Sequence, residues 1–182
     1  ALTDVPRNVP DSILRRLPQN GGVVMVTFVP SFVSQARADH DAHRREVQRD
    51  LARRHGADTA AARRALEAWD AEHPAPQATL QQVADHIEHV RRVAGVDHVG
   101  IGSDFDGTGN QLPVGLEDVS TFPALFAELS RRGWSEADLR KLAGENVLRA
   151  FARAEEVARR LQRERPPSTK TIEELDGPPP RR

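Results

Sequence analysis

The chain has 182 residues, 38% of them hydrophobic, and its 26 Lys and Arg nearly balance its 27 Asp and Glu. This composition is typical of a globular domain, and a net charge of −1 leaves no global field to attract nucleic acid or an anionic membrane. The absence of cysteine excludes disulfides and thiolate chemistry, so any metal must bind oxygen and imidazole ligands. No apolar run approaches the roughly 20 residues of a membrane span, and residues 1–10 do not resemble a signal peptide.

The first part of the chain predicts a short helix, a buried strand and a polar insertion. Residues 10–17 place apolar side chains on one helical face, with Asn8 as the cap and residues 18–21 as the stop. Residues 22–29 (GVVMVTFV) are almost continuously apolar, which predicts a strand buried on both faces of a parallel sheet. Residues 35–76 are rich in Arg and have narrow apolar stripes, which predicts an exposed helical pair inserted into the fold.

A second helix and strand follow and complete a βαβ unit. Thr79 and Gln82 form a capping box before a helix with apolar residues at helical spacing, and Gly95 closes that helix. Residues 98–102 (HVGIG) predict the second strand, which ends just before Asp104. Because the mean sheet has about five or six strands, two strands indicate a slice of a larger α/β protein. The absence of an initiating Met favours the same interpretation.

The rest of the chain predicts helices and a tail. A helix begins at Ser120 or Thr121 and ends at Gly133, and the helical pattern then continues to residue 165. Residues 166–182 contain five prolines and few apolar side chains, which predicts an extended or disordered tail. The sequence therefore divides into a folded segment at 1–165, which includes the insertion, and a tail at 166–182.

Asp104 is the main candidate for chemistry because it directly follows the second predicted strand. In parallel α/β folds and barrels, the loops at the carboxyl ends of the strands hold the active site, where a carboxylate can bind a cation. The alternative is a carboxylate that caps its own loop by accepting backbone hydrogen bonds. Asp106 lies in the same loop and can share the site, but Asp106 followed by Gly107 is also a common turn signal.

A different enzyme class is also compatible with this loop. Residues 104–108 (DFDGT) match the signature of haloacid-dehalogenase-type phosphatases, in which the first Asp is a nucleophile and the second an acid or base. That chemistry needs an acidic pair and a Lys on later strands of the same sheet. Helices and a tail are predicted after residue 107, and the chain's lysines, Lys141 and Lys170, follow no predicted strand. The phosphatase is therefore the less favoured alternative.

Arg7 and several histidines are further candidates. Arg7 precedes the first helix and could hold a carboxylate or phosphate through parallel hydrogen bonds, although a lone Arg is more often a solvated surface group. Two pairs of histidines each stand three residues apart on a predicted helix: His40 with His43, and His86 with His89. No third ligand is evident near either pair, so we interpret both as structural, and likewise His98 at the start of the second strand.

Six segments of the sequence carry a resemblance to a known family. They are RNVPD at 7–11, GVVMVTF at 22–28, QVADHIEHVRRVAGV at 82–96, VGIGSDFDG at 99–107, PVGLEDVS at 113–120 and AGENVLRAF at 143–151. In this order they resemble the C-terminal portion of the membrane (renal) dipeptidase family, the zinc dipeptidases of peptidase family M19. The resemblance implies an α/β fold, the C-terminal part of a (β/α)8 TIM-like barrel of the metal-dependent amidohydrolase type.

The resemblance also implies a reaction. The complete enzyme hydrolyses dipeptides with two zinc ions, and zinc can lower the pKa of bound water from 15.7 to about 7. Asp104 matches the aspartate after the last strand, which binds one zinc, contacts the substrate and carries a proton from the attacking water to the leaving amine. Arg7 matches the arginine that binds the terminal carboxylate of the dipeptide.

The family's other metal ligands have no counterpart in this sequence: a His-x-Asp, a bridging Glu and two His. We therefore expect the isolated chain to be soluble but inactive, and to need the N-terminal part of the barrel as its partner. A non-catalytic remnant of the fold is the alternative. The resemblance allows a homodimer of the complete enzyme. Residues 35–76 depart from the shorter mammalian pattern, which leaves the cover of the site and the natural substrate undefined.

Overall fold

A computed structural model describes residues 2–109 and 111–177, in two compact units that meet in sequence after Val147. The strands are β1 (Val24–Thr27) and β2 (Val99–Ser103). The helices are α1 (Asp11–Leu14), α2 (Leu17–Asn20), α3 (Pro30–Val33), α4 (Gln35–His55), α5 (Thr59–Glu72), α6 (Leu80–Ala94), α7 (Phe122–Arg131), α8 (Glu136–Arg140), α9 (Asn146–Glu164) and α10 (Ile172–Asp176). Among the described residues, no helix is both long enough and apolar enough to cross a membrane.

β1 and β2 form a parallel two-stranded sheet, joined by α6 in the predicted βαβ order. α6 covers one face, on which Val26 and Val99 are buried. On the other face the side chain of Met25 lies over Gly100 and is 39% exposed. The prediction that β1 is buried on both faces is therefore wrong for the described residues, since they cover the Met25 side only in part.

The core lies between the sheet, α1, α6 and α7. The predicted capping box is present, because Gln82 N donates to Thr79 Oγ1 and Thr79 N to Gln82 Oε1. The apolar positions of α6 then fall on one face and are buried against the sheet and α7, as the helical spacing predicts. The largest fully buried side chains of this core include Leu14, Phe28, Val83, Ile87, Val99, Leu125 and Leu129.

α4 and α5 occupy the stretch predicted as a helical pair and pack against each other. Asp58 begins α5 by accepting a hydrogen bond from Ala61 N at 2.9 Å. In contrast to α6, α4 buries one of its described residues, Ala38, and α5 buries none. The two helices are therefore held by polar contacts and partly buried side chains rather than by a core of their own.

The start of the chain differs from its prediction. Residues 10–17 do not form one helix, since α1 ends at Leu14 and Pro18 lies in the first turn of α2 instead of stopping a helix. Asn8 does not cap α1, because its Nδ2 donates to Thr3 O at 3.0 Å and Phe32 O at 2.8 Å. A side chain with two tertiary acceptors is not available for a local cap.

The segment after β2 largely follows the predicted helical pattern. Ser135 caps α8, with Asp138 N donating to its Oγ at 3.1 Å. A π-helical turn at Lys141–Glu145 contains Gly144, which has non-helical backbone angles, and leads into α9. In the second unit, α10 occupies residues for which composition predicts an extended or disordered tail; Thr171 and Glu174 form a capping box there. Residues 178–182 of the predicted tail lie outside the described residues.

Candidate active site at the carboxyl end of the sheet

The turn that follows β2 has an unusual backbone. Ser103 and Asp104 have φ values of 46° and 73°, so two consecutive non-glycine residues adopt the left-handed conformation. Each such residue costs roughly 1–3 kcal/mol, and it persists when the surrounding structure fixes it. The chain then enters a 3-10 turn at Phe105–Gly107. Strain of this kind is concentrated at functional sites, so the turn supports Asp104 as a candidate functional residue.

Asp104 carries an exposed carboxylate on this turn. Its side chain makes no capping hydrogen bond to the turn that it begins. It lies directly over Gly107, where a Cβ atom would collide with its carboxylate oxygens. The geometry therefore does not show the loop-capping alternative, and the carboxylate is available to a ligand.

Three phenylalanine rings, one of them in the turn itself, pack against one another at this site. The rings of Phe28, Phe105 and Phe122 lie 5.7 to 5.9 Å apart by centroid, and Phe28 N donates to Ser103 O at 2.7 Å. Phe28 meets the other two rings edge-on, which is a favourable arrangement for aromatic pairs. Sequence reasoning did not identify this group, although a Phe at the end of an apolar run and a Phe between two aspartates were visible signals.

Arg7 contacts α3, the helix that follows β1. Its guanidinium carbon stands 5.2 Å from the ring centroid of Phe32, a cation–π contact. It also lines a cavity of about 160 Å³ that extends along β1 from Val24 to Thr27. Arg7 therefore contacts the segment that follows β1, and Asp104 follows the neighbouring strand β2. No hydrogen bond or ion pair joins these two residues in the described part of the chain.

Two further acidic residues, Asp106 and Asp118, follow Asp104 in this part of the chain. Asp106 is exposed within the 3-10 turn. Asp118 accepts a hydrogen bond from Ser120 N at 2.7 Å, and hydrogen bonds from the side chain and backbone of Ser120 lower the pKa of Asp118. Asp118 therefore shapes the approach to α7, and part of the GLEDVS string has a structural explanation.

The histidines considered as metal ligands each contact a partner within the fold. His40 and His43 pack against Trp69, His86 contacts Thr3, His89 contacts Asp11, and His98 donates to Gly22 O. Burial lowers the pKa of His86, which favours its neutral form. These contacts account for the histidines without a ligand.

The described residues alone do not form a metal site. Within 2–109 and 111–177, no three His, Asp or Glu side chains converge on a point that could hold a metal ion. Asp104 is the predicted ligand, but one carboxylate cannot supply the three or four protein ligands of a zinc site.

Known proteins match this arrangement. The model of the membrane dipeptidase family, peptidase family M19, matches residues 1–165. The probable dipeptidase PvdM from Pseudomonas aeruginosa is 27% identical with a TM-score of 0.62, over 82% of this chain and 41% of that one. A metallo peptidase from Rhodobacter sphaeroides, liganded with a phosphinate mimic of the dipeptide L-Ala-D-Ala, is 28% identical with a TM-score of 0.57, over 83% and 32%. The dipeptidase AC, a metallo peptidase, is 26% identical with a TM-score of 0.56, over 82% and 33%.

These matches confirm the predicted family and the mixed, helix-rich α/β fold. The chain spans 32 to 41% of the length of these solved structures. They give no support to the phosphatase alternative for the DFDGT string. The chain belongs to the membrane dipeptidase family, peptidase family M19.

Proposed function

We propose that this chain supplies the C-terminal part of the active site of a metal-dependent dipeptidase, with β1 and β2 as the last two strands of a (β/α)8 barrel. The observation that carries the proposal is the exposed carboxylate of Asp104 on a strained turn at the carboxyl end of β2. Family membership supports dipeptide hydrolysis at the level of the family. In barrels of this kind, the carboxyl ends of the strands carry the catalytic residues.

Asp104 has two proposed roles. It is one carboxylate ligand of a zinc pair, and it accepts a proton from the attacking water and returns it to the leaving amine nitrogen. Its side chain has the necessary freedom because it makes no cap to its own turn. The remaining metal ligands must come from outside the described residues, which hold no group of three potential ligands.

Arg7 is the proposed binding group for the terminal carboxylate of the dipeptide. Its guanidinium carbon lies 5.2 Å from the ring centroid of Phe32, and this cation–π contact favours one position of the group. Arg side chains recognise carboxylates through two parallel N–H···O bonds, and a side chain that is already positioned loses less entropy on binding. Recognition of this kind would select for a free carboxyl terminus rather than for a particular side chain.

The uncovered face of the sheet supports a larger barrel. Met25 is partly exposed above Gly100 and Gly102, on the side of the sheet away from α6. An apolar face of a parallel sheet is normally covered, and an open two-stranded sheet is marginal. Further strands on either side would turn this face into the interior of a barrel.

The test is Asp104→Asn in the enzyme assembled with its remaining barrel segments, assayed for dipeptide hydrolysis and bound metal. Because general acid–base groups contribute roughly 10²- to 10⁴-fold, we expect kcat to fall at least 100-fold. Because the side chain is exposed and Asn is of similar size, we expect no folding defect, and circular dichroism checks this. Asp106→Asn, in the same turn, measures the effect of losing a neighbouring charge. Undiminished turnover by Asp104→Asn would refute the assignment.

The second candidate is a non-catalytic remnant of the fold, which would need no metal-binding group. The two candidates differ in the composition of the native material. A companion segment with about two zinc ions per complex would support the dipeptidase. A lone 20.1 kDa chain without zinc would show that this segment is not by itself the enzyme.

A further inference from the structure

A polar recess lies between the α4–α5 pair and the loop after β2, with a volume of about 430 Å³. The side chains that matter for its chemistry are Arg37, Asp41, Arg44 and Arg45 of α4, Asp70 of α5 and Gln111 of the loop. Arg37, Asp41 and Arg45 recur every four residues and Arg44 lies three residues after Asp41, which places them on one side of the helix. The recess is separate from the Asp104 turn, although Gln111 belongs to the same loop.

The recess has a surplus of positive charge. Three guanidinium groups face two carboxylates, which leaves a charge of +1 among these side chains. Arg44 pairs with Asp70, and Arg37 pairs with Asp41. Arg45 is exposed and makes no ion pair or hydrogen bond with any other described residue. Arg45 therefore provides a cationic group that the fold itself does not use.

The two paired arginines are held in fixed orientations. Arg44 donates from Nε and Nη2 to the two carboxylate oxygens of Asp70, each at 2.6 Å. Arg37 donates from Nε to Asp41 Oδ1 at 2.8 Å and from Nη2 to Gln111 Oε1. Each guanidinium has five N–H donors, so the Nη1 donors of both remain available. Donors that are already positioned lose little side-chain entropy when a ligand binds.

The inner part of the recess is partly shielded from water. The side chains of Arg37 and His40 are each 14% exposed. His40 Nε2 donates to His73 O at 2.9 Å, which ties α4 to the end of α5. Partial exclusion of water lowers the local dielectric and strengthens the attraction of an anion to these donors.

We propose that this recess binds a small anion with several acceptor oxygens, a carboxylate or phosphate compound. Arg45 supplies the unpaired charge, and Arg37 and Arg44 supply positioned donors. The proposal goes beyond dipeptide hydrolysis and does not depend on it, because it uses neither Asp104 nor Arg7. If the ion pairs served only to hold the two helices together, removal of Arg45 would have no effect on anion binding.

The experiment is a calorimetric titration of the full chain with inorganic phosphate and, separately, with succinate, at constant ionic strength set with NaCl. We expect saturable binding and a matching rise in Tm. Loss of one charge-assisted hydrogen bond should weaken binding about tenfold in Arg45→Gln. Arg45→Lys, which keeps the charge, should retain most of the affinity. Arg49→Gln removes the same charge from an exposed position of α4 outside the recess and should bind like the unaltered chain.

The two probes also separate the ligand classes. Tighter binding of phosphate indicates a phosphorylated compound, and tighter binding of succinate indicates a dicarboxylate; either result supports the site. Equal affinity of Arg45→Gln and the unaltered chain overturns the proposal. Equal losses in Arg45→Gln and Arg49→Gln, or no saturable binding of either anion, also overturn it.

Discussion

α6 precedes the strand that presents Asp104, whereas α4 carries the arginines of the recess. The two helices differ in how many of their residues are buried. α6 buries seven of its 15 residues, whereas α4 buries one of its 21 described residues. Burial of apolar surface is the dominant stabilising term in folding, and exposed ion pairs contribute little. α6 therefore maintains the sheet that presents Asp104, while α4 is free to carry charged side chains for binding.

The largest expected effect is at the centre of α6. Ile87 is fully buried in the core, so Ile87→Ala should lower the free energy of unfolding by about 2–5 kcal/mol. Val47→Ala, at a half-buried position of α4, should cost less than about 1.5 kcal/mol. Denaturant unfolding of both variants measures the difference. Similar losses at the two positions would remove the distinction between the helices.

A second test uses pH. Burial holds the pKa of His86 on α6 below its ordinary value of 6.5. Well above pH 6.5 the residue is neutral in both the folded and the unfolded chain, so it does not change stability. As pH falls below 6.5, the unfolded chain takes up a proton that the folded chain resists, so stability is lost.

His86→Gln should therefore reduce the loss of stability on acidification below pH 6.5. His55→Gln, on α4, is the matched control, since it removes an imidazole from a helix that buries little of its surface. Unfolding free energies measured from pH 7.5 to 5 test this. Parallel profiles for the unaltered chain and His86→Gln would contradict it.

The smallest expected effect is in the α4–α5 pair. Asp70 accepts two hydrogen bonds from Arg44, yet the two side chains remain 35% and 37% exposed. Solvent screening limits such a pair, so Asp70→Asn should lower the free energy of unfolding by less than about 1 kcal/mol. The loss should shrink further in 1 M NaCl. A loss as large as that of Ile87→Ala would show that this ion pair is a major source of stability.

The same difference explains what the sequence could predict. The apolar spacing and the capping box of α6 predicted that helix, because both depend on residues that are close together in the sequence. Likewise, the position of Asp104 after an apolar run located the candidate site. For β1, the apolar run predicts burial on both faces, but the described residues cover the face of Met25 only in part.

Other features depend on contacts between residues that are distant in the sequence, and no local sequence pattern predicts them. Asn8 has the side chain of a helix cap, but its partners Thr3 and Phe32 are recognisable only in the folded chain. Similarly, nothing in the sequence places Gln111 beside Arg37, 74 residues away. The arginines of α4 can be read from the sequence, but the recess that they line is recognisable only in the structure.

At the turn of Ser103 and Asp104, the backbone conformation that orients the Asp104 carboxylate lowers the stability of the protein. Glycine adopts the left-handed conformation without the steric cost that other residues incur, so a design that optimised stability alone would place glycine at both positions. Glycine at 104 would delete the carboxylate, and glycine at 103 would loosen the direction in which it points. Screens for thermostable variants should therefore exclude this turn, because a gain in Tm there would come with a less sharply directed Asp104.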